Sequence, residues 1–170
     1  MVTVRLASAA DADAIGRVQV ESWRAAYAGL LPDEAVAGFD VASRRQLWRE
    51  WLSGPPRPRS ATFVVEDAGE VVGFAGIGPS RDPDGGEQAE LYTIYLLPSC
   101  WGRGVGRALM LRAEEAMRSS GFRTAVLWVL DGNERGERFY RAAGWERDGQ
   151  TKVDQFQGET ITEVRYRKRL

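Results

Sequence analysis

Histidine is absent from the 170-residue chain. With it go the commonest metal ligand, the usual base of a serine or cysteine triad and the usual charge switch near neutral pH. Cysteine occurs once, as Cys100, which excludes an intramolecular disulfide and a thiolate zinc site and points to a reducing compartment. Lysine is scarce as well: Lys152 and Lys168 stand among 23 basic residues, a bias toward arginine that carries no functional reading. No apolar run reaches the roughly 18 residues of a membrane span. Met1 to Leu6 lacks the basic-then-apolar pattern of a secretory signal, so the expected location is the cytoplasm, away from any membrane. A formal net charge of −1 leaves no electrostatic footprint for nucleic acid.

What is present is the composition of a globular domain, with 44% apolar and 28% charged residues. A chain of this length reads as one domain over residues 1–170 with a core that needs no metal or disulfide, as a monomer or homodimer. Its organising stretch runs from Tyr95 to Met110, where an apolar strand passes through glycines into a helix. Glu90 to Leu97 suits a buried strand that Pro98 stops. Val105, Leu109, Ala113, Ala116 and Met117 recur at helical spacing. Gly102, Gly104 and Gly106 fill the join, where missing Cβ atoms let backbone N–H groups approach a ligand. A helix start with unpaired N–H groups and a partial positive charge suits a phosphate or pyrophosphate, and Arg103 and Arg107 add donors. Two familiar phosphate loops do not fit. Arg107 stands where the dinucleotide fingerprint needs its third glycine, and no Gly-Lys-Ser/Thr follows.

Elsewhere the chain reads as a strand at Thr3 to Ala7 and a helix opened by Ser8 to Asp11, carrying Ile15, Val18, Val20, Trp23 and Tyr27 and ended by Gly29. Trp23 and Tyr27 share a helix face and read two ways, as core or as the wall of a substrate groove. Leu31 to Glu34 starts a second helix, and Arg44 to Leu52 is helical. Gly54 to Ser60 is a proline-rich connection. Thr62 to Glu66 and Val71 to Ile77 form a hairpin across Asp67 to Glu70. Pro79 to Glu87 is a polar loop expected to be mobile, whose Asp82, Asp84 and Glu87 are either solvated or aimed at a cation. Thr124 to Leu130 is a buried-type strand, Asp131-Gly132-Asn133 turns into a short helix, and Trp145 onward with Thr160 to Arg169 gives two terminal strands. The element order predicts an α/β or α+β fold with a mixed sheet of about seven strands flanked by helices.

The stretch Trp101 to Gly106 resembles the acetyl-CoA loop of the GNAT acetyltransferase superfamily, Gln/Arg-x-x-Gly-x-Gly/Ala. It matches at Gly104 and Gly106, with Trp101 where the family prefers Gln or Arg. The strand Glu90 to Leu96, Asn133, the run Phe139 to Trp145 and the opening from Val4 to Trp23 extend the likeness over nearly the whole chain. The resemblance implies a mostly antiparallel sheet splayed between the fourth and fifth strands, a bulge in the fourth, and a single GNAT domain. It implies acetyl-CoA as cosubstrate, no metal, and direct transfer of the acetyl group to a primary amine. The pyrophosphate then belongs on Trp101, Gly102, Arg103, Gly104, Val105, Gly106 and Arg107, with Asn133 and Phe139 as further contacts. Leu96 and Leu97 are expected to pair with the pantetheine arm and to offer an N–H to the developing oxyanion.

Tyr140 is the implied acid for the leaving thiolate, its alternative being a packed aromatic. Asn133 has the alternative of a helix cap. Glu90 is the implied acceptor of the amine proton. Rival readings keep the fold but use another acyl-CoA, or lose acid and base and leave an acyl-CoA-binding module.

Overall fold

The computed structural model describes residues 1–170. Seven strands form one sheet: β1 (Val2–Leu6), β2 (Ala61–Asp67), β3 (Glu70–Pro79), β4 (Ala89–Leu96), β5 (Thr124–Leu130), β6 (Glu146–Phe156) and β7 (Glu159–Arg169). Their spatial order is β1-β2-β3-β4-β5-β7-β6. Every neighbouring pair is antiparallel except β4–β5, which is parallel. The helices are α1 (Ala12–Tyr27), α2 (Asp33–Ala37), α3 (Val41–Ser53), α4 (Val105–Ser119) and α5 (Glu134–Ala142). No helix is long and apolar enough to cross a membrane.

Local chemistry accounts for most boundaries. Ser8 donates its N–H to the Asp11 carboxylate at 2.7 Å, closing the turn before α1. Asp40 accepts from the N–H groups of Ala42 and Ser43, so α3 starts at Val41, earlier than its apolar periodicity indicates. The β2–β3 turn places Ala68 and Gly69 both at positive φ, the conformation whose twist suits a two-residue hairpin.

Helices cover both sheet faces. Phe74 of β3 packs against Trp48 of α3, with ring centroids 5.1 Å apart. Phe63 pairs with Ala75, the residue next to Phe74, so it points to the opposite face, where the Arg112 guanidinium of α4 lies over its ring. With both faces covered, β3 is buried continuously from Val71 to Gly78.

The segment between β3 and β4 differs from its expected mobility. Asp82 and Asp84 both accept from Arg165 of β7, at 3.0 and 2.8 Å. Arg81 grips Glu90, and Arg59 reaches Glu87 at 2.9 Å. The cation these acids attract is the chain's own arginine, only 3% exposed, and it ties the loop down.

Candidate active site

β4 and β5 pair at only two positions, Ala89 with Ala125 and Glu90 with Val126, and then part. Just beyond, the β3–β4 register jumps from Ile77–Leu91 to Gly76–Thr93, so Tyr92 is the extra residue of a bulge that bends β4 away from β5. A cavity of about 870 Å³ fills the gap. Of the predicted residues, Tyr27, Glu90, Leu96, Trp101, Gly102, Gly104, Gly106, Arg107, Asn133, Phe139 and Tyr140 line it. Trp23, Leu97, Arg103 and Val105 do not.

At one end, the six successive backbone N–H groups from Gly102 to Arg107 meet no acceptor within the protein. Gly104 is the cap of α4 with φ +80°, and a Cβ there meets nothing within 4 Å, so this position needs glycine for backbone conformation. Gly106 is required for a different reason: its Cβ would lie 3.1 Å from both Leu96 Cδ1 and Phe139 Cε2. Val105 is buried in the core, leaving only its N–H for a ligand.

The expected pair of arginines is corrected to a different pair. Arg103 turns to Asp67 at 3.2 Å, while Arg107 faces the cavity and is joined there by Arg135, whose guanidinium lies 3.9 Å from the Trp101 ring centre. Arg135 had a sequence signal that was missed. It is a cation in the first turn of a helix, where the dipole disfavours positive charge unless an anion is near. Asn133 caps α5, accepting the Gly136 N–H at 3.1 Å, and also lines the cavity, so its two readings coexist.

Along the strand, Leu97 donates its N–H to Val72 O at 2.8 Å. Backbone groups of successive strand residues point to alternate edges, so Leu97 faces β3, and Ile94 and Leu96 face the gap. The pairing expected of Leu97 therefore falls to Ile94. The Leu96 carbonyl accepts the Trp101 indole N–H at 3.1 Å, which gives Trp101 a role in holding the strand edge to the glycine loop.

Tyr140 reaches the cavity from α5, and its hydroxyl donates to no protein group; burial pushes its ionisation well above the ordinary range. Glu90 is 2% exposed and accepts three hydrogen bonds from Arg81, from the backbone N–H at 2.9 Å, Nε at 3.1 Å and Nη2 at 2.8 Å. It is a held carboxylate, in contrast to the free proton acceptor expected of it.

Trp23 is core: it packs edge-to-face on Phe39 and Phe156, with centroids 5.1 and 5.2 Å away, and only its flank reaches a small side chamber. Tyr27 lines both the chamber and the main cavity. The cavity also holds Trp128, Lys152, Asp154 and Glu163, none foreseen. No local pattern marks them. The β5–β7–β6 register sets Leu130, Glu163 and Lys152 side by side on one face.

The family described as acetyltransferase (GNAT) matches residues 21–145. An uncharacterized N-acetyltransferase, YuaI, of Bacillus subtilis is 35% identical over 148 residues, which span 86% of this chain and 82% of that protein. A GCN5-related N-acetyltransferase from Kribbella flavida superposes with a TM-score of 0.74 at 27% identity, over 99% of this chain and 98% of the other. PaiA N-acetyltransferase from Thermoplasma acidophilum, solved in complex with coenzyme A, superposes with a TM-score of 0.72 at 21% identity, over 100% and 99% of the two chains.

Proposed function

The chain belongs to the GNAT acetyltransferase family, and we propose that it moves an acetyl group from acetyl-CoA directly to a primary amine of a small molecule or peptide. The observation that carries this reading is the run of free N–H groups from Gly102 to Arg107 opening into the same cavity as the Tyr140 hydroxyl. The residues present fit the cosubstrate: the α4 start with Arg107 and Arg135 suits a pyrophosphate, and the free edge at Ile94 suits the amides of an extended arm. Acetyl-CoA supplies an activated acyl group and a good leaving thiolate.

The Leu96 N–H is the donor for negative charge developing on the carbonyl oxygen. Tyr140, protonated throughout the working pH range, gives its proton to the departing sulfur. Glu90 with Arg81 holds the neck where β4 and β5 part. The proposed location is the cytoplasm, in keeping with a single reduced thiol at Cys100.

The test is calorimetric titration with coenzyme A in metal-free buffer, followed by thiol release from acetyl-CoA across a panel of amines. Amine-dependent release confirms the reading. Tight coenzyme A binding with no turnover on any amine overturns it in favour of an acyl-CoA-binding module.

A further inference from the structure

Four carboxylates line the cavity, and three are engaged. Glu90 accepts from Arg81, Asp82 accepts from Trp128 Nε1 and Arg165, and the exposed Asp154 accepts the Gln155 N–H at 2.7 Å. Glu163 accepts no hydrogen bond; the nearest cation, Lys152 Nζ, is 3.8 Å away, and its side chain is 19% exposed. It stands at the boundary of two spaces. Besides the main cavity, it lines the side chamber of about 140 Å³, whose wall includes Trp23, Leu31, Phe156 and Ile161. A cavity of about 150 Å³ accommodates one benzene ring, so the chamber, apolar along Trp23, Leu31, Phe156 and Ile161 and polar at Asp154 and Gln155, has room for a body of that size.

We propose that the acceptor is a primary amine with a small apolar or aromatic body, seated with the body in the side chamber and the ammonium at Glu163, and that Glu163 takes the ammonium proton. This rests on the acetyl-transfer reading. Once R–NH3⁺ has given a proton to the carboxylate, the nitrogen lone pair forms the C–N bond at the acetyl carbon and the C–S bond breaks with its electron pair on sulfur. Tyr140 protonates that sulfur and is restored by the second proton leaving nitrogen. The proton on Glu163 passes to solvent, so the sum is R–NH3⁺ plus acetyl-CoA giving the N-acetylamine, CoA thiol and one H⁺.

The charges around Glu163 support the role. Burial raises its carboxyl above the ordinary value; Lys152 opposes this, Asp154 adds to it, Arg81 opposes and Glu90 adds, with the Tyr27 and Tyr95 hydroxyls also facing it. A raised carboxyl is a better proton acceptor near neutral pH.

The experiment uses 2-phenylethylamine, ethylamine and 2-phenylethanol as probes on the coenzyme A-loaded protein by calorimetry, and both amines in steady-state assays from pH 6 to 9. The parent is expected to bind 2-phenylethylamine at least about tenfold more tightly than either control, since only it carries both body and charge. Glu163→Gln should lower its affinity about tenfold and kcat about a hundredfold, and remove the acidic limb of the pH profile, while coenzyme A affinity, which reports folding, stays put. Ile161→Trp, filling the chamber, should raise KM for 2-phenylethylamine about tenfold more than it raises KM for ethylamine, which has no body to seat there.

Equal binding of amine and alcohol, or a Glu163→Gln protein with parental kcat and acidic limb, overturns the inference while acetyl transfer stands. Amine binding that depends on Glu163 without any thiol release upholds the seat and overturns acetyl transfer together with the proton step.

Discussion

Tyr140 and Glu90 came out of the same resemblance with opposite local circumstances. The Tyr140 hydroxyl faces the cavity without a protein partner, whereas both Glu90 oxygens are occupied by Arg81. A phenol whose ionisation burial pushes upward keeps its proton at every working pH, so it is always in the acid form when the thiolate departs, although the same burial makes it the weaker acid. Replacing Tyr140 with Phe keeps the ring against Phe139 and Tyr166 and removes only that proton. Turnover should fall about 10²–10⁴-fold, with coenzyme A affinity within about twofold of the parent. Parallel steady-state kinetics and calorimetry check this, and a turnover loss below about twofold would return Tyr140 to packing.

At the scale of elements, the glycine loop and the β3–β4 loop are held in place by different means. Gly104→Val meets no neighbour but is forced into a left-handed backbone, so the α4 start must refold and its N–H array turns. Gly106→Val instead drives into Leu96 and Phe139, shifting strand edge and α5 together. Each should weaken coenzyme A binding at least about tenfold and lower the melting temperature, the first through the strain of a β-branched residue at positive φ and the second, by more, through overpacking. Titration beside thermal unfolding separates the two. The β3–β4 loop depends on Arg165, which joins Asp82 and Asp84 to Asp148 from a nearly sealed position. Arg165→Met leaves these acids to repel one another, so amide exchange in residues 80–88 should quicken and amine KM rise about tenfold while acetyl-CoA KM holds. Unchanged exchange in that loop would mean that Arg81 and Arg59 suffice to hold it.

Across the whole molecule, the opening that makes the site is also its structural weakness, because β1–β4 meet β5–β7 through two residue pairs. Compensation comes from a clamp between α4 and β7. Lys168 Nζ lies 2.8 and 2.9 Å from the Glu114 oxygens and donates to Ala143 O, and the Trp145 indole N–H donates to the same carboxylate at 3.0 Å. Glu114 is 1% exposed. Lys168→Met strips the main countercharge from a buried carboxylate, a loss of about 3–5 kcal/mol, because desolvation is no longer offset. For a chain of this size the melting temperature should fall by about 10 °C. Scanning calorimetry checks this, and a shift below about 2 °C would show that Arg118, 3.5 Å from Glu114, carries the charge balance instead.

Features that depend on neighbours in the chain were legible in the sequence. The strand–glycine–helix junction, the Asn133 cap, the β2–β3 hairpin and the seven-strand order all follow from side-chain period, missing Cβ atoms and capping chemistry within a few residues. Tertiary structure alone decided what depends on register and distance. It put the bulge at Tyr92, which no break in the apolar pattern betrays, and turned Arg103 to Asp67 while bringing Arg135 to the loop. It also closed Arg81 on Glu90 and left Glu163, among the four cavity acids, with no hydrogen bond and only Lys152 at 3.8 Å. A carboxylate's chemistry is set by which cations lie within a few ångströms, and pairing between strands distant in sequence determines that.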